Sequence, residues 1–470
     1  MTYEKQKAML RSQVASKFRM GFEHDSIILD SITEKLMAKE FNRIFYRGEG
    51  QTTTNFVQSS IKLSPATKLK ALLRGIGVSF YAITQIVQFQ NRFNPPNSLG
   101  WVYAIPAQYF ANREAVDNLE KFLDSSLKEQ GAVPPTKYFV QSGNLKNLQE
   151  TERVEVVTHI GSKILGLQSQ SKTKTISELL KRTISWLKIS ISHPVFLLVG
   201  AEYIVDIPAI ESRINLVKEV LITTQSQLLA PALVFKSLIK ANRVMYWYSD
   251  NSFQISKKNQ NDMDYSYLKQ PQISKHFVWT ASWQKTLQEH NRDTEITPIG
   301  PIIFRTLEKY SRDSSKLPQS VYTVTIFDVT PKKIASSESI YSEEVMMKFL
   351  SDIIESVKTK YPAAAINLKP KRRYSASDSL KYREFAKSQF PKLNVLDWDC
   401  DIAAEIINSD LVICIPFTSP GLISSYLAIQ TAFYVPSVKY NLAATHENIP
   451  VIQGKKNLDL FLEKSAPKSF

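Results

Sequence analysis

From Val321 to Val438, short β-branched or apolar runs alternate with stretches of helical periodicity, and that alternation leaves few folds open. "VYTVTIFDV" reads as a strand ending at Thr330-Pro331. A helix follows, with Val345, Met346, Phe349, Leu350, Ile353, Ile354 and Val357 at steps of one, three and four, and with Ser342, Glu343 and Glu344 as cap and acidic first turn. The pattern repeats: strand Ala363 to Leu368, helix Ser377 to Gln389, strand Asn394 to Leu396, helix Asp401 to Asn408, strand Leu411 to Ile415, helix Pro420 to Ala432, strand Tyr434 to Val438. Strand and helix in strict turn argue for a parallel sheet covered on both faces, a Rossmann-like α/β domain.

In a parallel sheet every strand ends at the same edge, and ligands bind in the crevice outside those carboxyl ends. Three polar groups fall there: Asp328 and Thr330, the basic run Lys369 to Arg373, and Pro416 to Ser419. Ser419 fits an N-cap and Pro420 the first helical position, where a missing N–H costs little. The N–H groups of Gly421 and Leu422, with the hydroxyls of Thr418 and Ser419, are then expected to face a phosphate, and Lys369, Arg372 and Arg373 to add positive charge. Taken singly, each feature reads better as a helix cap or a solvated loop; shared on one edge, they favour the phosphate site. "LDWDCD" holds two Asp-x-Asp patterns, but they immediately precede a helix, where capping carboxylates are expected, so no metal site is assigned.

The first part carries strand-like runs at "GWVYAI", "KYFVQ", Val195 to Val199, Val220 to Thr224 and Val244 to Tyr248, with less regular alternation, and a second α/β domain is expected. If the two halves face each other across a cleft, loops after these strands would bring a second set of polar groups to it: Ser142 and Asn144; Thr224, Gln225 and Ser226; and Ser249, Asp250, Asn251 and Ser252. A carboxylate or imidazole is needed there if a hydroxyl is to lose its proton as it attacks. Asp250 is the first candidate, although a turn residue in Ser-Asp-Asn-Ser reads equally well; His159, after an apolar run and before Gly161, is the second. The six histidines show no metal-ligand spacing, and no phosphate-binding or dinucleotide glycine fingerprint occurs, so no cofactor is implied.

At 470 residues the chain exceeds the usual size of a single core, and two domains are expected. Two cysteines, Cys400 and Cys414, do not make a disulfide framework, and the charged N-terminus lacks the apolar core of an export signal; both point to the cytoplasm. The net charge of +15 calls for an anionic partner. With no long basic tail or recognised motif, nucleic acid is the least favoured one. Gly75 to Asn91 is uncharged but too short and too rich in Gln to span a bilayer. Its helical spacing, with Lys68, Lys70 and Arg74 upstream, suits either a core helix, the preferred reading, or one lying on an anionic membrane.

"SDLVICIPFTSPGLISSYLAIQTAFYVPSVKYN" resembles the bacterial polysaccharide-biosynthesis proteins named for their Pro-Phe-Thr-Ser motif, here Pro416 to Ser419. The layout also looks like the donor half of GT-B glycosyltransferases, with Lys369-Pro370 ending a strand and Gly300-Pro301 leading towards the second domain. Lys371 stands where relatives that cleave activated acid sugars commonly carry a His, and the helix after Ser419 lacks an early acidic residue to hold a ribose. The resemblance implies two Rossmann-like domains facing a cleft, residues 1–300 on the acceptor side and 301–470 binding a nucleotide-sugar donor. The implied activity is metal-independent transfer of a sugar to a lipid-linked or polysaccharide acceptor at the inner face of the membrane. The alternative is a non-catalytic assembly or membrane-docking protein that keeps the fold.

Overall fold

The computed structural model describes residues 64–88, 98–103, 113–129, 133–141, 149–157, 159–166, 171–192, 194–209, 217–222, 242–247, 256–257, 273–301, 321–329, 331, 340–371, 380–398, 400–442 and 445–465. Two seven-stranded sheets organise them. The first takes β1 (Leu99–Tyr103), β2 (Lys137–Gln141), β3 (Val154–Val157), β4 (Val217–Ile222), β5 (Asn242–Tyr246), β7 (Lys275–Val278) and β8 (Glu295–Pro298), in the order β3-β2-β1-β4-β5-β7-β8. Every pairing in it is parallel. The second takes β9 (Thr323–Phe327), β10 (Ala365–Lys369), β11 (Asn394–Val395), β12 (Leu411–Cys414), β13 (Gln430–Val435), β15 (Thr445–His446) and β16 (Ile449–Gln453), in the order β11-β10-β9-β12-β13-β16-β15. It is parallel except for β15 against β16. Each sheet therefore builds outwards from its first strand in both directions, the doubly wound, Rossmann-like order.

The central strands β12 and β13 of the second sheet are largely apolar, as expected where helices cover both faces of a sheet. All of β12 is buried, as is β13 after its first residue. Helix α6 (Glu343–Lys360) carries a stripe of Met346, Phe349, Leu350, Ile353 and Val357 into that core. Its start is fixed by the Ser342 hydroxyl accepting the Val345 N–H at 3.3 Å, with Glu343 and Glu344 in the first turn and Lys358 and Lys360 in the last.

In the first half, α1 (Pro65–Gln88) and α4 (Lys172–Ser192) pack where Gly75 meets the Trp186 ring. A Cβ on Gly75 would lie 2.4 Å from that indole, so the crossing requires glycine. Trp186 Nε1 donates to the Phe196 carbonyl at 3.1 Å. The run Val195 to Val199, read above as a strand, is thus a 3-10 turn, Pro194–Val199, tucked under the indole. A short buried apolar run suits either state, and here Pro194 opens a helical turn.

A second departure concerns the helix expected over Pro420 to Ala432. The observed α9 covers Ser419–Tyr426 and β13 begins at Gln430, not at Tyr434. Ala428 adopts φ 55°, and the N–H groups of Ala428 and Ile429 close back on the Ser425 and Ser424 carbonyls. That is the usual left-handed helix stop, made with Ala instead of Gly, so the sequence carries no sign of it.

The two halves meet in one apolar cluster that includes Tyr246, Phe277 and Trp279 from the first and Phe327, Phe417 and Phe433 from the second. Glu447 and Asn448 turn the β15–β16 hairpin with φ 48° and 66°, and the Glu447 carboxylate accepts the Ser282 N–H at 3.1 Å together with the Ser282 hydroxyl. It therefore places negative charge on the first turn of α5 (Ala281–His290), the favourable end of that helix for an anion. Two-residue β6 (Ser256–Lys257) and β14 (Tyr440–Asn441) add an antiparallel pair between the halves.

His276, on β7, is wholly buried, and its Nδ1 accepts the Trp247 indole N–H at 3.2 Å. Burial pushes its pKa down to about 3. The folded value lies below that of an unfolded histidine, so this contribution to stability is complete above pH ~6.5 and is lost as the pH falls towards 3. In urea melts between pH 6 and pH 4 (~2 units, inside that window), His276→Gln should flatten the loss of stability by up to about 1.4 kcal/mol per pH unit. An unchanged slope would show that this imidazole is not the group taking up the proton.

Candidate functional site

Register places three residues level across the centre of the second sheet: Lys369 on β10 pairs with Phe327 on β9, which pairs with Cys414 on β12. Asp328, Pro370 and Ile415 follow them, so the three predicted polar groups leave one carboxyl edge. The chain adds β10 on one side of β9 and later β12 on the other. The crevice between the ends of β9 and β12 is the topological switch point, where doubly wound sheets bind ligands.

The Pro-Phe-Thr-Ser turn makes the crossing from β12 to α9 in a few residues. Phe417 has φ 58°, a left-handed conformation rare outside glycine. Its buried ring meets Phe433 edge-on at 5.7 Å and His446 at 4.9 Å. Burial holds the His446 pKa below its usual value, against the pull of Glu447, which keeps that ring neutral near pH 7. Gly421 lies against Phe433, and a Cβ there would approach the ring to 2.5 Å.

Within the turn the donors differ from expectation. Thr418, not Ser419, is the N-cap residue, and its hydroxyl donates back to the Ile415 carbonyl at 3.0 Å. The Gly421 N–H donates to the Thr418 carbonyl at 3.1 Å, and Thr418, Gly421 and Leu422 are all buried. Neither the Thr418 hydroxyl nor the Gly421 amide is turned outwards. Ser419 and Pro420 are half-buried, and the Ser419 N–H and hydroxyl have no partner among the described residues. Ser419 is thus the polar group that the helix start leaves open.

Lys369 is on the predicted edge but buried, at 3% exposure. Its ammonium donates to the carbonyl of Pro370 at 3.1 Å and to that of Trp398, in the loop after β11. Asp328 accepts the Lys371 N–H at 3.0 Å, tying the Lys369-Pro370-Lys371 turn to the end of β9. The expected phosphate lysine is therefore engaged with backbone in this arrangement. Glu405, on α8 (Ile402–Ile407), has its pKa raised by burial and by Asp401, with Lys369 opposing the shift. Asp401 is a helix cap, accepting from Ala403 and Ala404 at 3.0 and 3.4 Å, which is the structural reading of "LDWDCD". Among the described residues no cluster of His, Cys, Asp and Glu could hold a metal ion.

On the first sheet, His159 follows β3 at the carboxyl edge but is buried. Its Nδ1 accepts the Ser162 N–H at 3.2 Å and lies 3.1 Å from the Ser162 hydroxyl, while Nε2 stands 3.4 Å from Asp206 Oδ1. Through the Ser162 N–H it caps α3 (Ile160–Gly166), and its other nitrogen faces the Asp206 carboxylate. Asp250, Ser249, Asn251, Ser142, Asn144, Gln225 and Arg372 lie outside the described residues.

The sequence reading missed two features of the edge. One is the anchoring of Phe417 by His446, a partner nearly thirty residues on and invisible to local pattern. The other is a shallow hollow of about 380 Å³ between the start of α6 and the segment after β13, lined by Val345, Lys348, Pro436, Val438 and Lys439 among others.

The class these features define is a GT-B-like architecture, two Rossmann-like α/β domains with polar groups at the switch point of the second. Residues 187–462 match the polysaccharide biosynthesis PFTS motif proteins, and the chain belongs to that family. Among solved structures it is similar to the wall teichoic acid polymerase TagF, at 9% identity over 85% of this chain and 88% of that one, with a TM-score of 0.42. It is also similar to the trehalose-6-phosphate synthase OtsA, at 13% identity over 79% and 92%, with a TM-score of 0.41. A third similar structure is MurG of Acinetobacter baumannii, at 10% identity over 78% and 90%, with a TM-score of 0.34. No curated protein matches the sequence significantly.

The turn itself can be tested for its packing. Gly421→Ala forces a Cβ into the Phe433 ring and should destabilise the fold by about 1–3 kcal/mol in urea unfolding, the usual range for overpacking. Full stability in that variant would show that α9 sits further from β13 than described.

Proposed function

We propose that the protein is a glycosyltransferase that uses a nucleotide-activated sugar in the synthesis of a surface polysaccharide. The observation that carries this reading is the open Ser419 at the start of α9, beside the switch point of a Rossmann-like sheet and inside the motif that names the family. A helix N-terminus with a free hydroxyl and amide suits a diphosphate, whose charge is favoured at that end of the helix dipole. For Lys369 to reach the same phosphate, its ammonium exchanges the Trp398 carbonyl for the ligand. Donors fixed at the leaving phosphate stabilise the charge that develops as the sugar departs, and the proposal needs no metal for that step.

The acceptor belongs to the first domain in this reading. Asp250, four residues beyond the end of β5, is proposed as the base that takes the proton from the acceptor hydroxyl. A polysaccharide or lipid-linked acceptor fits the family, and the net charge of +15 fits phosphate-bearing intermediates.

The engaged state of Lys369, with Thr418 and Gly421 turned inwards, specifically favours a second reading: a non-catalytic member that retains the fold. Titration calorimetry with a panel of nucleotide sugars, paired with a transfer assay, separates the two. The transferase reading expects binding by the wild type, and Ser419→Ala should weaken it about 10- to 100-fold, the usual loss for a hydrogen bond to a charged group. Asp250→Asn should bind normally but lower kcat by about 10²- to 10⁴-fold. A folded wild type that binds none of the panel at millimolar concentration would leave the non-catalytic reading standing.

A further inference from the structure

The packing of α1 against α4 buries one side of each helix and leaves the opposite sides without cover among the described residues. On α1 the uncovered side carries Leu69, Leu73, Phe80 and Val87, each at least half exposed and spaced by four, seven and seven residues, one stripe along the helix. On α4 it carries Leu180, Ile184 and Ile191, at the same spacing. Thr183 reaches Ser79 while Trp186 reaches Gly75, so the helices run antiparallel with both stripes outward.

The charge beside these stripes is one-sided. The two helices contain eight basic residues and a single acidic one, Glu178, which pairs with Lys181 at 3.4 Å. Lys70, Arg74, Lys174, Lys181 and Lys188 are exposed. Apolar side chains flanked by lysine and arginine match a lipid surface bearing negative headgroups: the stripe enters the acyl boundary while the cations remain at headgroup level. No helix among the described residues is long and apolar enough to cross a membrane, so the fit is to a helix pair lying in the interface plane.

We propose that the outer face of the α1–α4 pair docks the protein on anionic lipid bilayers. This goes beyond the transferase reading and does not rest on it, since the face lies on the first domain and the surface requires no nucleotide.

The test is flotation of the full chain with vesicles of phosphatidylcholine alone and of phosphatidylcholine mixed with phosphatidylglycerol. The wild type should bind the mixed vesicles, prefer them to the neutral ones, and release as salt is raised. Phe80→Glu and Ile184→Glu should each weaken binding about tenfold or more, with unfolding midpoints and nucleotide-sugar affinity unchanged, because both side chains are exposed and belong to the first domain, whereas Ser419 belongs to the second. Unchanged vesicle binding in both variants, or no preference for anionic lipid, would overturn the proposal. Two other results would assign the face to a different occupant and overturn it equally. One is a wild-type dimer, seen by sedimentation, that Phe80→Glu dissociates. The other is an apolar environment, without vesicles, for a polarity-sensitive dye on Leu73→Cys in a Cys400→Ser background, which would show the stripe already covered within the chain.

Discussion

The Phe417 ring holds the backbone in a conformation that costs an L residue about 1–2 kcal/mol, and the placement of the candidate site depends on that hold. Edge contacts with Phe433 and His446 over a fully buried strand offset the cost. Because the turn is tight, α9 starts immediately beyond β12 instead of after a loop, and Ser419 stands at the rim. The glycine two residues on serves the same packing, since only a residue without a side chain lets the helix lie against Phe433. Pro, Phe, Thr and Ser thus have separate tasks: a break from the strand, an anchor, an inward hydroxyl that closes the turn on Ile415, and an open hydroxyl.

The parallel arrangement turns local turns into a shared site. With Lys369, Phe327 and Cys414 level in register, whatever follows each strand meets at one edge, and the reversal of strand order between β9 and β12 leaves a gap there. The same edge is stiffened by internal bonds, from Asp328 to the Lys371 amide and from Lys369 to the Trp398 carbonyl. A ligand that recruits Lys369 must compete with the second of these. Contact between the halves is polar as well as apolar, since the Glu447 carboxylate caps a helix of the first domain from a hairpin of the second.

Much of the second domain was legible because its signals are local and redundant. The stripe and cap of α6 set that helix near its observed bounds, and β9, β10 and β12 fall within a residue or two of their apolar runs. The end of α9 was not legible: its stop is an alanine in the left-handed region, a state imposed by tertiary packing. Nor was the direction of the Thr418 hydroxyl or the Lys369 ammonium, since a sequence places a residue on an edge without saying whether its polar atoms face water or backbone. In the first domain the apolar runs are short, and Val195 to Val199 shows how a buried helical turn imitates a strand. His159 illustrates the same limit, a residue on the expected edge with its nitrogens directed into its own domain.

The most direct test is an amide NMR titration of the full chain, labelled at serine and glycine, with a nucleoside diphosphate. The account predicts that the Ser419 amide moves first and furthest, as expected for an N–H that gains an anionic partner, and that the internally bonded Gly421 amide moves less. Saturating nucleotide that leaves Ser419 unshifted while perturbing amides elsewhere would contradict the placement of the site at this helix start.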